Sequence, residues 1–125
     1  MTNINYNDMA MDIYEFCCDN EMWDGVVIYF GNKALASWSK WGDEEGVKIG
    51  ENLYAYADKR AGDYLEYINP DGLSCAFDGS FGLHTLVNDW GATFPSTYDA
   101  FSNIFEKYGL YYELGSSWYL TTAEL

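Results

Sequence analysis

Val26-Val27-Ile28-Tyr29-Phe30-Gly31-Asn32-Lys33 is the stretch on which the fold turns. Five consecutive β-branched or aromatic residues suit a pleated, packed surface, so Val26–Phe30 reads as a strand. Gly31-Asn32-Lys33 reads as a hairpin turn, and a second strand follows to about Trp41. Downstream, Gly42-Asp43-Glu44-Glu45-Gly46 is predicted to be an exposed acidic loop. A third strand is expected near Val47–Ala57, with Tyr54 and Tyr56 on one face and Leu53, Ala55 and Ala57 on the other. Asp63–Ile68 reads as a fourth. Asn69-Pro70-Asp71-Gly72 is a turn signal, with Pro at its second position and Gly at its fourth. Leu73, Cys75 and Phe77 then alternate with Ser74, Ala76 and Asp78 in a fifth strand, which completes an antiparallel meander.

Helical periodicity flanks this sheet. Met9, Ile13, Phe16 and Cys17 recur at spacings of three and four, which predicts a helix over about Asn5–Asn20 with one buried face. Asp19-Asn20 and Asp24-Gly25 end it. Phe81–Asp89 reads as a short helix. Ser96 or Thr97 is expected to cap another that ends at Gly109, with Phe101, Ile104, Phe105 and Tyr108 inward. Leu110–Leu114 and Trp118–Thr121 form a terminal hairpin around Gly115-Ser116-Ser117. The expected class is therefore α+β: an antiparallel sheet of about five strands plus a C-terminal hairpin, packed with an N-terminal helix and one or two helices after the meander. With no linker, low-complexity stretch or repeat, residues 1–125 read as one domain.

Composition agrees with a folded chain. Apolar residues make up 49% and aromatics 19% of the sequence, which a disordered acidic tail would lack. No window approaches the roughly 20 apolar residues of a membrane helix. The first residues show neither the basic start nor the apolar run of a signal peptide. Cys17 and Cys18 are adjacent and Cys75 is distant, a poor disulfide framework that suits a reducing compartment. The expectation is a cytoplasmic protein with no membrane partner.

Charge is the outlier. Twenty Asp and Glu face six Lys and Arg, a formal net charge of −14. Such a field repels nucleic acid and anionic membranes and attracts basic surfaces. Duplex DNA carries one charge per roughly 1.7 Å, so this charge equals that of about 24 Å of duplex. A compact chain of this length has a radius of gyration near ~14 Å. The protein thus carries about the charge of a DNA segment of its own size. Solubility alone is the plain reading of such acidity.

No catalytic or metal-binding constellation stands out. His84 is the only histidine, and no Gly-x-Ser-x-Gly elbow accompanies it. No Cys-x-x-Cys or His-x-x-x-His spacing offers zinc a site. The phosphate-cradling Gly-x-x-x-x-Gly-Lys-Ser/Thr loop is absent. Asp19, Glu21 and Asp24 before Gly25 do not match a calcium loop. A pair of carboxylates for glycoside chemistry stays open, because sequence does not report their separation. No cofactor is expected.

One motif remains. At 100° per residue, Asp8, Asp12, Glu15 and Asp19 fall within about 60° of each other along about 16 Å of helix, apart from the apolar arc. Like charges at this spacing each destabilise a helix by about 0.2–0.5 kcal/mol, and Glu15 and Asp19 lie toward the negative end of the dipole. No Lys or Arg precedes Lys33 to offset the row. A solvating face normally mixes both signs. The row is therefore a candidate interaction face in which carboxylates stand in for phosphates. Asp43, Glu44 and Glu45 form a candidate second patch, with a solvated turn as its plain alternative.

Two further segments carry a resemblance. Tyr-Leu-Glu-Tyr-Ile-Asn-Pro-Asp-Gly-Leu-Ser-Cys-Ala-Phe-Asp-Gly (Tyr64–Gly79) and Phe-Ser-Asn-Ile-Phe-Glu-Lys-Tyr-Gly-Leu-Tyr-Tyr-Glu-Leu-Gly-Ser-Ser-Trp-Tyr-Leu (Phe101–Leu120) resemble small acidic proteins of mobile elements and phages of Gram-positive bacteria. Some small proteins in that setting are anti-CRISPR or anti-restriction inhibitors. The resemblance implies an inhibitor and carries no site residue with it. The expected function is a non-enzymatic, DNA-mimicking inhibitor of a bacterial defence nuclease. Its partner would be a basic nucleic-acid-binding protein, with a Cas9-type effector favoured. The rivals are an immunity-type partner of a basic toxin nuclease and a small carboxylate-dependent enzyme.

Overall fold

Val27–Phe30 forms strand β1, and every one of its residues is buried. The computed structural model describes residues 4–125 and sets β1 at the centre of a seven-stranded antiparallel sheet. Its hairpin partner β2 (Lys33–Ala36) lies on one side, with Phe30 opposite Lys33. Gly31, at φ 59°, opens the two-residue turn with the positive φ that matches strand twist. On the other side β1 pairs with β7 (Leu73–Ala76). β5 (Val47–Gly50) and β6 (Leu53–Ala57) extend the sheet beyond β2. The terminal hairpin, β8 (Leu110–Ser116) and β9 (Tyr119–Glu124), extends it beyond β7. The order is β5-β6-β2-β1-β7-β9-β8.

Because side chains alternate along a strand, the sheet has two covered faces. Ile28, Phe30, Leu35, Leu53, Leu73, Cys75 and Leu120 pack under three helices. These are α1 (Tyr6–Asp19), α2 (Phe81–Asn88) and α3 (Pro95–Lys107). The Asn5 side chain caps α1 by accepting from the Asp8 backbone N–H at 3.1 Å, and Met9, Ala10, Ile13, Phe16 and Cys17 supply its buried face. Phe16 meets Phe101 of α3 with ring centroids 5.3 Å apart. On the opposite face Val27, Tyr29, Ala34, Ala36, Tyr56 and Leu65 form a second cluster with Trp38 and Trp41.

Four expectations are corrected. The second strand ends at Ala36, and the chain leaves the sheet to form a small ribbon, β3 (Lys40–Trp41) with β4 (Glu44–Glu45). Glu44 and Glu45 of the expected loop are thus strand residues. The third strand is two strands, because Asn52 adopts φ 50° and turns the chain between Glu51 and Leu53. Asp63–Ile68 is not a strand. It overlaps a short 3-10 turn at Ala61–Asp63: the Tyr64 and Leu65 N–H groups donate to the Ala61 carbonyl, and the later donors find side-chain acceptors instead of a ladder. Tyr67 N–H donates to the Tyr119 hydroxyl at 3.0 Å, and Asn69 N–H to Thr121 Oγ1 at 2.8 Å. Lastly, α3 starts at Pro95 with no side-chain cap. Proline at the first helical position, with its fixed φ and missing N–H, begins the helix before Ser96 and Thr97.

Gly25 shapes the approach to β1. Its φ is 84°, and a Cβ there would stand 2.4 Å from the carbonyl carbon of Gly79. Both the backbone conformation and the contact exclude a side chain. Gly25→Ala is expected to destabilise the fold by about 2 kcal/mol or more, read as a lower urea midpoint with an unchanged slope.

Candidate functional site

α1 presents the carboxylate row as expected, but its members differ. Asp8, Glu15 and Asp19 are exposed. Asp12 is fastened to the end of α3: its Oδ2 accepts from the Tyr108 hydroxyl at 2.6 Å and from Lys107 Nζ at 3.0 Å. Its side chain retains 29% exposure. Burial pushes the Asp12 carboxyl up, but the Tyr108 and Lys107 hydrogen bonds and the lysine charge outweigh it and leave the pKa lowered. The lysine that the first 32 residues lack arrives from the far end of the chain. Asp12 therefore helps join α1 to α3, and three carboxylates of the row remain without an ion-pair partner among the described residues.

The second patch divides in the same way. Glu44 Oε1 pairs with Lys59 Nζ at 2.8 Å, and Lys59 lies over the Trp41 ring at 5.2 Å. Glu45 sits opposite Lys40 in the ribbon, and Asp43 is exposed at its turn. Trp41 packs against Tyr29 and Tyr56, on the sheet face away from the helices. The ribbon and the α1 row thus lie on opposite layers of the molecule, and the structure does not bring them together.

α3 adds charges that the inner-arc reading passed over. Phe101 and Phe105 are buried, while Asp99, Asn103 and Glu106 are exposed. The same 100° spacing that placed the apolar arc inward would have placed these outward. The three helices hold six carboxylates: Asp8, Asp12, Glu15, Asp19, Asp99 and Glu106. Lys107 is the one Lys or Arg on them, and it is paired with Asp12. The other five cations fall between Lys33 and Arg60, on the strands β2, β3 and β5 and the segment after β6. The helical layer is thus acidic, with six carboxylates to one lysine, while the other fourteen carboxylates lie outside the helices with the other five cations.

His84 sits on α2 with its ring edge toward Phe77 at 6.2 Å. Cys17 and Cys75 are buried free thiols, and burial pushes Cys75 up to about 12. Among the described residues no cluster of three His, Cys, Asp or Glu could hold a metal ion. Four surface clefts are each lined by a single carboxylate, Asp63, Asp58, Glu113 or Glu106, so no carboxylate pair shares any of them. No described helix is long and apolar enough to cross a membrane. Comparison with models of protein families, with curated proteins and with solved structures finds no match in any of the three.

The lowered Asp12 pKa makes its contribution pH-dependent. It is fully present above the ordinary carboxyl value of 3.8 and is lost as pH falls through the lowered folded value. Asp12→Asn is expected to cost about 1 kcal/mol at neutral pH. The gap between wild type and variant should close in urea titrations as pH falls from about 4 toward 2; a gap that stays constant would remove the Asp12 charge from the α1–α3 contact.

Proposed function

We propose that the protein is a non-enzymatic inhibitor that lays its helical layer on the basic nucleic-acid-binding surface of a bacterial defence nuclease, with a Cas9-type effector as the favoured target. The observation that carries this reading is the acidity of the helical layer: six carboxylates against one lysine, which is paired with Asp12. Packed helices stand roughly 8–10 Å apart, so α1 and α3 present two neighbouring rows of negative charge. Guide–target channels are lined with Lys and Arg that contact phosphate backbones, and the carboxylates occupy those contacts in place of phosphates. The resemblance of the Tyr64–Gly79 and Phe101–Leu120 segments to small phage and mobile-element inhibitors supports the same reading. The ribbon carboxylates Asp43, Glu44 and Glu45, on the opposite layer, are outside this contact.

A guide-loaded Cas9-type effector with fluorescent target duplex tests the proposal. The protein should displace the duplex, less effectively as salt rises. The triple variant D8N/E15Q/D19N should lose at least about tenfold in potency, whereas D43N/E45Q should stay within about threefold. Unchanged potency in the triple variant, or an effector that binds protein and duplex together, would overturn it. Tight capture of one basic toxin nuclease, with no effector bound, would instead favour an immunity-type partner.

A further inference from the structure

The loop between α2 and α3 is fastened. The Asp89 carboxylate accepts from the backbone N–H groups of Gly91 at 3.0 Å and Thr93 at 3.3 Å, and from the Thr93 hydroxyl at 2.6 Å. Gly91, at φ 78°, lies so close to α3 that a Cβ there would stand 2.4 Å from the Tyr98 Cβ. What this loop holds in place is Trp90. Its φ of 54° is in the left-handed region that bulky residues avoid. The conformation is that of a helix end: Trp90 follows the Asp89 cap of α2, the Gly91 N–H donates back to the Leu86 carbonyl at 3.2 Å, and the indole is left 59% exposed. The indole lies nearly parallel to Tyr112, with centroids 5.7 Å apart and planes 10° from each other. Tyr112 is held in turn by a 2.8 Å hydrogen bond between its hydroxyl and that of Tyr98.

The rings of Trp90, Tyr98, Tyr111 and Tyr112 dominate a cleft of about 240 Å³ that Glu106 and Leu125 also line. No lysine or arginine lines it. Aromatic faces carry negative quadrupole density, and the carboxylate adds a full charge. An apolar occupant would shield Glu106 from water with nothing in exchange, whereas a cation uses both kinds of wall. The volume lies below the roughly 300–1,000 Å³ of sites for drug-sized ligands, which suits a single side chain. A guanidinium suits the rings and the carboxylate together, since it stacks flat on a ring and forks onto a carboxylate.

We infer that this cleft is a docking site for an arginine side chain of a partner protein. It goes beyond the acidic helical face. The cleft lies across α3 from α1, because Tyr98, Ser102 and Glu106 face it while Lys107 and Tyr108 reach Asp12. Trp90 supplies the stacking surface, Glu106 the charge, and the Asp89 loop holds both ring and cleft open before the partner arrives, which lowers the ordering cost of binding.

The ¹⁵N-labelled protein titrated with acetyl-Gly-Arg-Gly-amide provides the test, read at the indole N–H resonances of the five tryptophans. The expected result is a saturable shift of the Trp90 indole in the millimolar range. Binding should weaken about fivefold or more in Glu106→Gln and vanish with the citrulline peptide, which keeps the shape and loses the charge. Because Glu106 is exposed and the citrulline control needs no variant, loss of folding does not confuse the result. An unmoved Trp90 indole, an equal shift with citrulline, or unchanged affinity in Glu106→Gln would overturn the inference. D8N/E15Q/D19N should leave this shift intact, so the cleft is tested apart from the α1 row, although Glu106 also belongs to the helical layer.

Discussion

Covering β1 on both faces is the condition that organises the molecule. Val27, Ile28, Tyr29 and Phe30 are 5%, 0%, 4% and 6% exposed, in a strand whose side chains alternate between two sides. One layer cannot shield all four. The chain meets the demand unequally: three helices cover Ile28 and Phe30, while the β3–β4 ribbon and the segment around Leu65 cover Val27 and Tyr29. The thinner layer relies on aromatic area. Trp41 meets Tyr29, Tyr56 and Tyr64 within centroid distances of 5.2–6.2 Å, and aromatic edges and faces stabilise such contacts beyond the area they bury.

That division also sorts the charge. α1 and α3 turn their apolar faces to the sheet, so all their carboxylates but Asp12 face outward. The strands and the segment after β6, by contrast, hold most of the cations, and Lys59 stabilises the ribbon by bridging Glu44 and Trp41. Lys107 neutralises only the carboxylate that joins α1 to α3. The helical layer is therefore left nearly free of cations, a property that net charge alone does not convey and that a basic groove can use.

Legibility followed the range of the determining contacts. The α1 boundaries, the β1–β2 turn and the terminal hairpin were readable because their signals lie within a few residues: a cap at Asn5, a glycine at Gly31, an alternation through Leu110–Leu114. Asp63–Ile68 reads as a strand because its apolar spacing reflects burial of Leu65 in the second cluster, while its first donors close a local turn and Tyr67 bonds to a side chain 52 residues away. Val47–Ala57 looked continuous because Asn52 takes a left-handed conformation without the glycine that usually marks one. Trp90 escaped notice for the same reason. Nothing local distinguishes a strained, exposed tryptophan from an ordinary helix end.

The row itself was written in the chain. A helix repeats every 3.6 residues, so residues 8, 12, 15 and 19 share a face wherever that helix lies, and the excess of carboxylates needs no coordinates. Which of those charges stay available depends on packing between elements. Asp12 is taken by residues 95 and 96 positions away, Asp43–Glu45 lie across the sheet, and Asp99 and Glu106 join the helical layer. Local periodicity places a side chain on its own element, but the neighbour it meets is set by how the sheet folds those elements over β1.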